Sequence, residues 1–413
     1  MAASEDHNLV TSRSAHDIEI SDRIQLISDQ ERSLFSFFEF VHGAYAQRDT
    51  YKTVGDFLLG NPHHPHSQKY ADILCSHLKE ANAFPYTTSA PEATDVVVQK
   101  LIQDFQLPSS SDRVIMTTGA FAGISAALAC LVNPGDDVLY LSPSWFFYRS
   151  MILFFGGHPI PLPLVPASGY ILSVDTFASI ITPSTRVLIL NSPHNPTGRV
   201  FTEDELHSLV SFITKHFPYL WIIHDAAYHD IVYDCIKITP VAAVYPRTIT
   251  VYTWGKIVLT PGQRIGFIAL PVTLESTIAQ QVLKAIQIAL FINFAHPNVL
   301  LQHCISEIDG NCRIDILLLQ HRRNLMYEAL IHIGYEIPLK SEGSFYLLVN
   351  TPGQKLAAEA VRLLFERDVF VLDGAFIELP HYFRICLTAT TEMCENSIPV
   401  FDEVYSMLCS GSD

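Results

Sequence analysis

Charge is scarce in this chain of 413 residues: Asp, Glu, Lys and Arg together make up 16% of it, well under the usual quarter or so. With 49% apolar residues, such a composition buries large cores and does not stay disordered. Basic residues are the scarcer sign, 26 against 42 acidic, which leaves a net charge of −16. No basic block is present, and this argues against nucleic acid or an anionic membrane as partner. Metal-binding cysteine spacing is also missing. Eight cysteines run from Cys75 to Cys409 without a C-x-x-C pair. They read as buried free thiols of a reducing compartment, not as a disulfide frame or zinc site. No uninterrupted apolar run approaches the roughly 18 residues of a spanning helix; Ile288 to Ala295 is too short. The N-terminus, MAASEDHNLV, carries acids where a signal peptide needs cations and an apolar core. A soluble, cytoplasmic globular protein is expected.

What is present alternates. Nearly continuous apolar runs, typical of strands covered on both faces, occur at Arg113 to Thr117, Asp137 to Leu141, Arg186 to Asn191, Tyr219 to His224, Thr248 to Thr253 and Arg264 to Leu270. Helical patterns lie between them. The clearest opens with the capping box Thr202-x-x-Glu205, after which Leu206, Leu209, Val210 and Ile213 share one face. Such alternation predicts an α/β domain around a mainly parallel sheet, with ligands at the carboxyl ends of the strands. Residues from Ile24 to Tyr45 are helical in pattern. The tail mixes helices with two strand-like pieces, Ser344 to Val349 and Phe383 to Leu387. The expected division is an N-terminal arm over 1–55, a large domain over 56–305 and a smaller α+β domain over 306–413, the arm joining the small domain.

Four segments carry chemistry. Asn191-Ser192-Pro193-His194-Asn195-Pro196-Thr197-Gly198 ends a strand in a loop stiffened by proline, and it presents Asn195 at the sheet edge; an ordinary Pro-rich turn would look similar. Asp225, followed by Tyr228, closes an apolar strand, where a carboxylate is costly unless it meets a cation or caps a helix. In Thr253-Trp254-Gly255-Lys256 a lysine follows another strand. Desolvation there would lower its pKa and make it a usable nucleophile, although a single lysine is more often a snorkelling surface residue. Thr117-Thr118-Gly119-Ala120 joins strand to helix with open backbone N–H groups suited to an anion.

The ordered set resembles the fold-type I, class I/II aminotransferases, which depend on pyridoxal 5′-phosphate, over roughly residues 55 to 400. The N-x-P-x-N-P-T-G motif stands at 191–198 and the D-x-x-Y pair at Asp225 and Tyr228. The lysine is Lys256, with Gly262 and Arg264 at +6 and +8. Glu342-Gly343-Ser344-Phe345-Tyr346 precedes a late arginine, Arg384, and Gly60-Asn61-Pro62 is the early G-x-P loop. The resemblance implies that Lys256 holds the cofactor as an aldimine and moves the substrate α-proton. Asp225 would keep the ring nitrogen protonated, and Asn195 and Tyr228 would bond the phenolic oxygen. Trp145 would stack on the ring, while Thr118, Gly119, Ala120 and Arg264 would bind the phosphate. Tyr86 would reach a neighbouring subunit's phosphate. Arg384, with Asn195 and Gly60, would receive the substrate carboxylate.

The resemblance further implies transfer of an amino group between an L-amino acid and a 2-oxo acid, and a homodimer with shared sites. Lyase, cyclase, decarboxylase or oxidase chemistry on the same scaffold is the alternative. A cofactor-sensing regulator would need a fused DNA-binding module, and the first 55 residues are too few and not basic. Three features depart from the family pattern: Thr253-Trp254-Gly255 precedes the lysine where many members have Ser or Thr two before it, Pro91 replaces a glycine, and Asp373-Gly374 stands for Pro-Gly. No motif arginine marks an acidic side-chain site; Arg149 and Arg247 are unranked candidates, and Trp145-Phe146-Phe147-Tyr148 hints at an apolar pocket. His63, His64 and His66 lack a carboxylate or cysteine to complete a metal site and are expected to form a polar rim.

Overall fold

A computed structural model describes residues 20–63 and 68–410. The main sheet has seven strands: Val114–Thr117 (β1), Asp137–Ser142 (β2), His158–Pro163 (β3), Thr185–Asn191 (β4), Trp221–Asp225 (β5), Thr248–Thr253 (β6) and Gly266–Ala269 (β7). Their order is β1-β7-β6-β5-β4-β2-β3. Neighbours are parallel except β7, which runs antiparallel to both β1 and β6. Central strands are buried along their whole length, so apolar residues appear on both faces of each.

Register sets the position of the chemistry. Asn191 lies beside Asp225, and Asp225 beside Val251. Thr117 and Thr253 both face Gly266, from opposite sides. The ends of β1, β4, β5 and β6 therefore share one carboxyl edge. Gly266 must be glycine: a Cβ there would lie 2.2 Å from the Tyr252 carbonyl oxygen and 3.1 Å from the Cα of Gly119.

A second sheet joins Tyr346–Asn350 (β8), Leu372–Asp373 (β9) and Tyr382–Cys386 (β10) in the antiparallel order β9-β10-β8. Gly55–Asp56 pairs in parallel with Val369–Phe370. That pairing fastens the N-terminal segment to the C-terminal part of the chain and lays residues 57–60 beside Arg384. One buried cluster contains Tyr228 and Trp254 of the large sheet's edge together with Phe345, Phe383 and Ile385 of the small sheet. Helices Asp22–Gln30 (α1) and Arg32–His42 (α2) form over the segment expected to be helical.

Strand β3 was not expected, because Pro159, Pro161 and Pro163 occupy it. It is an edge strand, paired only with β2, where missing N–H groups cost the ladder little. One reading needs correction, that of the cysteines, while the absence of an uninterrupted apolar run of spanning length holds. Helix Ser276–Phe294 is long and apolar enough to cross a membrane, although Gln and Lys residues interrupt its apolar run. It buries Ala279, Leu283, Ile286 and Leu290 against helix Gly119–Leu131 (α3), while Ile288, Phe291 and Ile292 are exposed. All eight cysteines are free, but Cys75, Cys235 and Cys409 are exposed, and only Cys304, Cys312, Cys386 and Cys394 are fully buried. The exposed three sit on outward helix faces and in a turn, where a small side chain is tolerated.

Candidate active site

The carboxyl edge of the large sheet and the small sheet enclose a cavity of about 230 Å³. Gly60, Ala120, Trp145, Asn195, Asp225, Tyr228, Lys256, Arg264 and Arg384 all line it. Residues separated by more than 300 positions thus meet because strand ends and the Gly55–Val369 pairing bring them together.

Lys256 follows β6 on a single helical turn, Trp254–Ile257. Its Nζ lies 5.7 Å from the ring centroids of Tyr228 and Phe345. Burial in these apolar surroundings pushes its pKa down to about 8, so roughly a tenth of the amine is neutral at pH 7, far more than for an ordinary lysine. Asp225 ends β5, buried. Burial raises its pKa, while the Tyr148 hydroxyl, the Ala227 N–H and the charge of Lys256 pull the other way. The Tyr148 hydroxyl donates to Asp225 Oδ2 at 2.5 Å and the Ala227 N–H to Oδ1 at 3.1 Å. Two donors and a nearby ammonium are what a buried carboxylate needs to stay ionised.

The Asn195 loop is pinned from below. Asn191 Nδ2 donates to the Asp225 carbonyl at 2.8 Å, and Asn191 Oδ1 accepts from the Asn195 N–H at 2.7 Å. From above, the N–H groups of Glu342 and Gly343 donate to the Gly198 carbonyl, both at 2.9 Å. The Glu342 carboxylate binds Arg199 at 2.9 Å and the Val200 N–H at 2.8 Å. These contacts explain why the two motifs occur together.

One end of the site suits an anion. Helix α3 begins at Gly119, whose φ is +76° and whose added Cβ would stand 2.8 Å from a guanidinium nitrogen of Arg264. Only glycine allows both the backbone conformation and the approach. The Thr118 hydroxyl is buried without a hydrogen-bond partner. A helix N-terminus, a guanidinium and a waiting hydroxyl fit the phosphate of pyridoxal phosphate.

At the other end, Arg384 on β10 is 2% exposed. It donates to Asn195 Oδ1 at 2.9 Å and to the Leu58 carbonyl at 3.2 Å, and it lies 4.0 Å over the Tyr346 ring. Its Nε has no partner. No carboxylate among the described residues pairs with it: Glu342 is taken by Arg199, and Asp373 caps the Ala375 N–H at 2.8 Å.

Three named residues stand apart from the cavity wall. Thr118 lines the neighbouring apolar cavity instead, Gly119 reaches the site through Arg264, and Tyr86 is 93% exposed. The Tyr86 ring meets His296 edge-on at 5.1 Å. His63 lines a different cavity with Arg322, while His64 and His66 lie outside the described residues. Tyr148, Asn191 and Tyr346 line the cavity but were given no role from sequence. Tyr148 follows Trp145 by three positions, the spacing of one helical turn, and that was the available signal.

A family model for aminotransferase class I and II matches residues 53–401. An aromatic-amino-acid aminotransferase of Thermococcus litoralis is 27% identical over 400 residues, covering 93% of this chain and 98% of that one. An aspartate/prephenate aminotransferase of Thermus thermophilus is 26% identical over 325 residues, 76% of this chain and 81% of that one. Among solved structures, an amino transferase from Eubacterium rectale superposes with a TM-score of 0.82 at 24% identity, covering 95% of this chain and 99% of that one. The chain belongs to the class I and II aminotransferases and is a pyridoxal-phosphate-dependent enzyme that transfers amino groups.

Proposed function

We propose that the chain exchanges an amino group between an L-α-amino acid and a 2-oxo acid, with Lys256 as the residue that holds the cofactor and moves the proton. The observation that carries this reading is Arg384: a buried guanidinium without a carboxylate, in one cavity with a lysine of lowered pKa and a buried aspartate.

When bound, pyridoxal phosphate supplies a carbonyl to which amines attach and an electron sink for the substrate Cα. Lys256 would anchor it covalently, and its amine would serve as the base that takes the substrate α-proton. Asp225 would meet the ring nitrogen and keep a proton there; Tyr148 and the Ala227 N–H hold that carboxylate in its charged form. Tyr228 and the Asn195 amide would donate to the phenolic oxygen, and Trp145 would cover the ring. Arg264, Thr118 and the N–H groups of Gly119 and Ala120 hold the phosphate. Arg384 grips the substrate α-carboxylate through its planar fork, with Asn195 fixing the guanidinium and Gly60 lending backbone at the rim.

Assembly as a homodimer with shared sites is supported by the exposed Tyr86, which would reach a partner's phosphate. Free thiols support a cytoplasmic setting. The proposed units are 1–55, 56–305 and 306–413, the first joining the last through the Gly55–Val369 pairing. Incubating the holoenzyme with amino acids carrying labelled nitrogen and a 2-oxo acid, then weighing the products, tests the reaction. Labelled nitrogen in the new amino acid is expected, and its absence alongside release of ammonia or carbon dioxide would refute it.

A further inference from the structure

Resting on that reading, the contents of the active-site wall identify the side chain of the substrate. Three cations line the cavity among the described residues: Lys256, Arg264 and Arg384. Each has a task, as cofactor anchor, phosphate ligand and α-carboxylate ligand. A second carboxylate on the substrate would then be buried without a partner, which is costly. The acidic group in the wall is Asp225, which is already bound by Tyr148. A cationic side chain has no better reception.

The two arginines that could have served an acidic substrate are elsewhere. Arg149 turns into a separate cavity of about 270 Å³, where Glu31 holds its Nε at 2.6 Å and Gln30 its guanidinium at 3.1 Å. Phe146 lines both cavities and puts an aromatic ring in the wall they share. Arg247 precedes β6, at the end of that strand opposite Lys256, and lies 5.5 Å from the Trp221 ring. A strand of this length spans about 20 Å, so Arg247 does not reach the site. What remains for the side chain is Leu59, Phe121, Phe146 and Tyr346, with the uncharged amide of Asn61.

We infer that the preferred amino donor carries an uncharged, apolar side chain, aromatic or large aliphatic, and that Phe146 is a specificity-determining residue. The chain shares ancestry with aspartate/prephenate enzymes, so the prediction separates it from some of its relatives.

The test is a donor screen on the wild-type holoenzyme, following the cofactor's visible absorbance in single half-reactions. Phenylalanine, leucine and methionine should react with second-order constants at least about 100-fold above those of aspartate, glutamate, lysine and arginine. Phe146→Ala should lower the constant for phenylalanine about tenfold while cofactor retention and the visible band of the resting enzyme stay unchanged. Aspartate or glutamate reacting as fast as phenylalanine would overturn the inference and would mean that a second copy brings a cation. An unchanged phenylalanine constant in a folded Phe146→Ala enzyme would remove Phe146 from its role. If no amino acid of any class altered the absorbance, the proposed transamination itself would fail, and the inference with it.

Discussion

The Tyr148 hydroxyl donates a hydrogen bond of 2.5 Å to Asp225 Oδ2, and Tyr148 itself is 1% exposed. The phenol is locked as a donor, since burial and the adjacent carboxylate push its pKa well above 10. Asp225 in turn is raised by burial and lowered again by this bond. The pair therefore sets how much of the carboxylate is ionised.

Tyr148→Phe removes the donor and keeps the ring. Asp225 then loses a stabilising bond to its charged form, and its pKa rises further. A hydrogen bond to a charged group contributes about 1.5–3 kcal/mol, so turnover should fall roughly 10- to 100-fold. The acid limb of the pH–rate profile should move to higher pH, because the anion now forms later. A profile with an unmoved acid limb would show that Tyr148 only fills space.

Lys256→Ala should reduce turnover at least about 1,000-fold. Fold and melting temperature should hold, because no ion pair of Lys256 exists among the described residues and burial of its amine is itself unfavourable. Activity assays, circular dichroism and loss of the lysine-linked cofactor's visible band check this. Near wild-type turnover would sink the assignment.

Much of this arrangement was legible because period and punctuation agree. The strand Thr248–Thr253 has the boundaries its apolar run suggests, and Thr202 with Glu205 forms the expected capping box over Leu206, Leu209, Val210 and Ile213. Asn195, Asp225 and Lys256 follow successive parallel strands, so topology alone sends them to one edge. Strand β3 was hidden because proline tells against a strand unless its edge position is known. Arg149 and Arg247 could not be ranked, since their neighbours Glu31 and Trp221 are brought to them only by the tertiary fold. Tyr148 sat in view as one aromatic among four, but its choice of Asp225 as acceptor is a fact of packing.

Arg384→Lys keeps the charge and loses the fork that holds Asn195 and a carboxylate together. Transition-state binding should weaken by roughly 2–5 kcal/mol, with KM raised and kcat lowered. Cofactor loading and melting temperature should barely change, because Glu342 and Asp373 are engaged elsewhere. A collapsed melting temperature with normal kinetics in the surviving enzyme would instead make Arg384 structural.

The exposed group of Tyr86, Ile288, Phe291 and Ile292, from 53% to 93% accessible, is larger than scattered surface apolars explain. It adjoins the cavity that contains Thr118 and His296. Light scattering should give a mass of twice 46.2 kDa. Phe291→Glu with Ile292→Glu should split the dimer and reduce activity, because Tyr86 would no longer reach a second site. A fully active wild-type monomer would contradict the assembly.

Acid should weaken the fold through two histidines that have no catalytic task. His194 and His224 are fully buried, and burial pushes both pKa values from 6.5 down to about 3. His229, stacked on Phe105 at 3.5 Å, is shifted in the same direction. Folded, the imidazoles stay neutral; unfolded, they regain ordinary values near 6.5. Between these limits the unfolded chain binds the extra protons. The contribution is therefore whole above about pH 6.5 and falls as pH drops toward 3. At one unit below the unfolded value the loss amounts to roughly 1.4 kcal/mol for each histidine. Asp225, Glu31 and Asp373 have values raised by burial and act oppositely. Urea midpoints measured at fixed protein concentration should thus decline between about pH 7 and 5.5. In His194→Asn with His224→Phe the decline should be mostly removed, since Asn can still bond Thr197 and Phe carries no proton. A wild-type midpoint that stays flat over that range would mean the two imidazoles meet water or a donor in the folded protein.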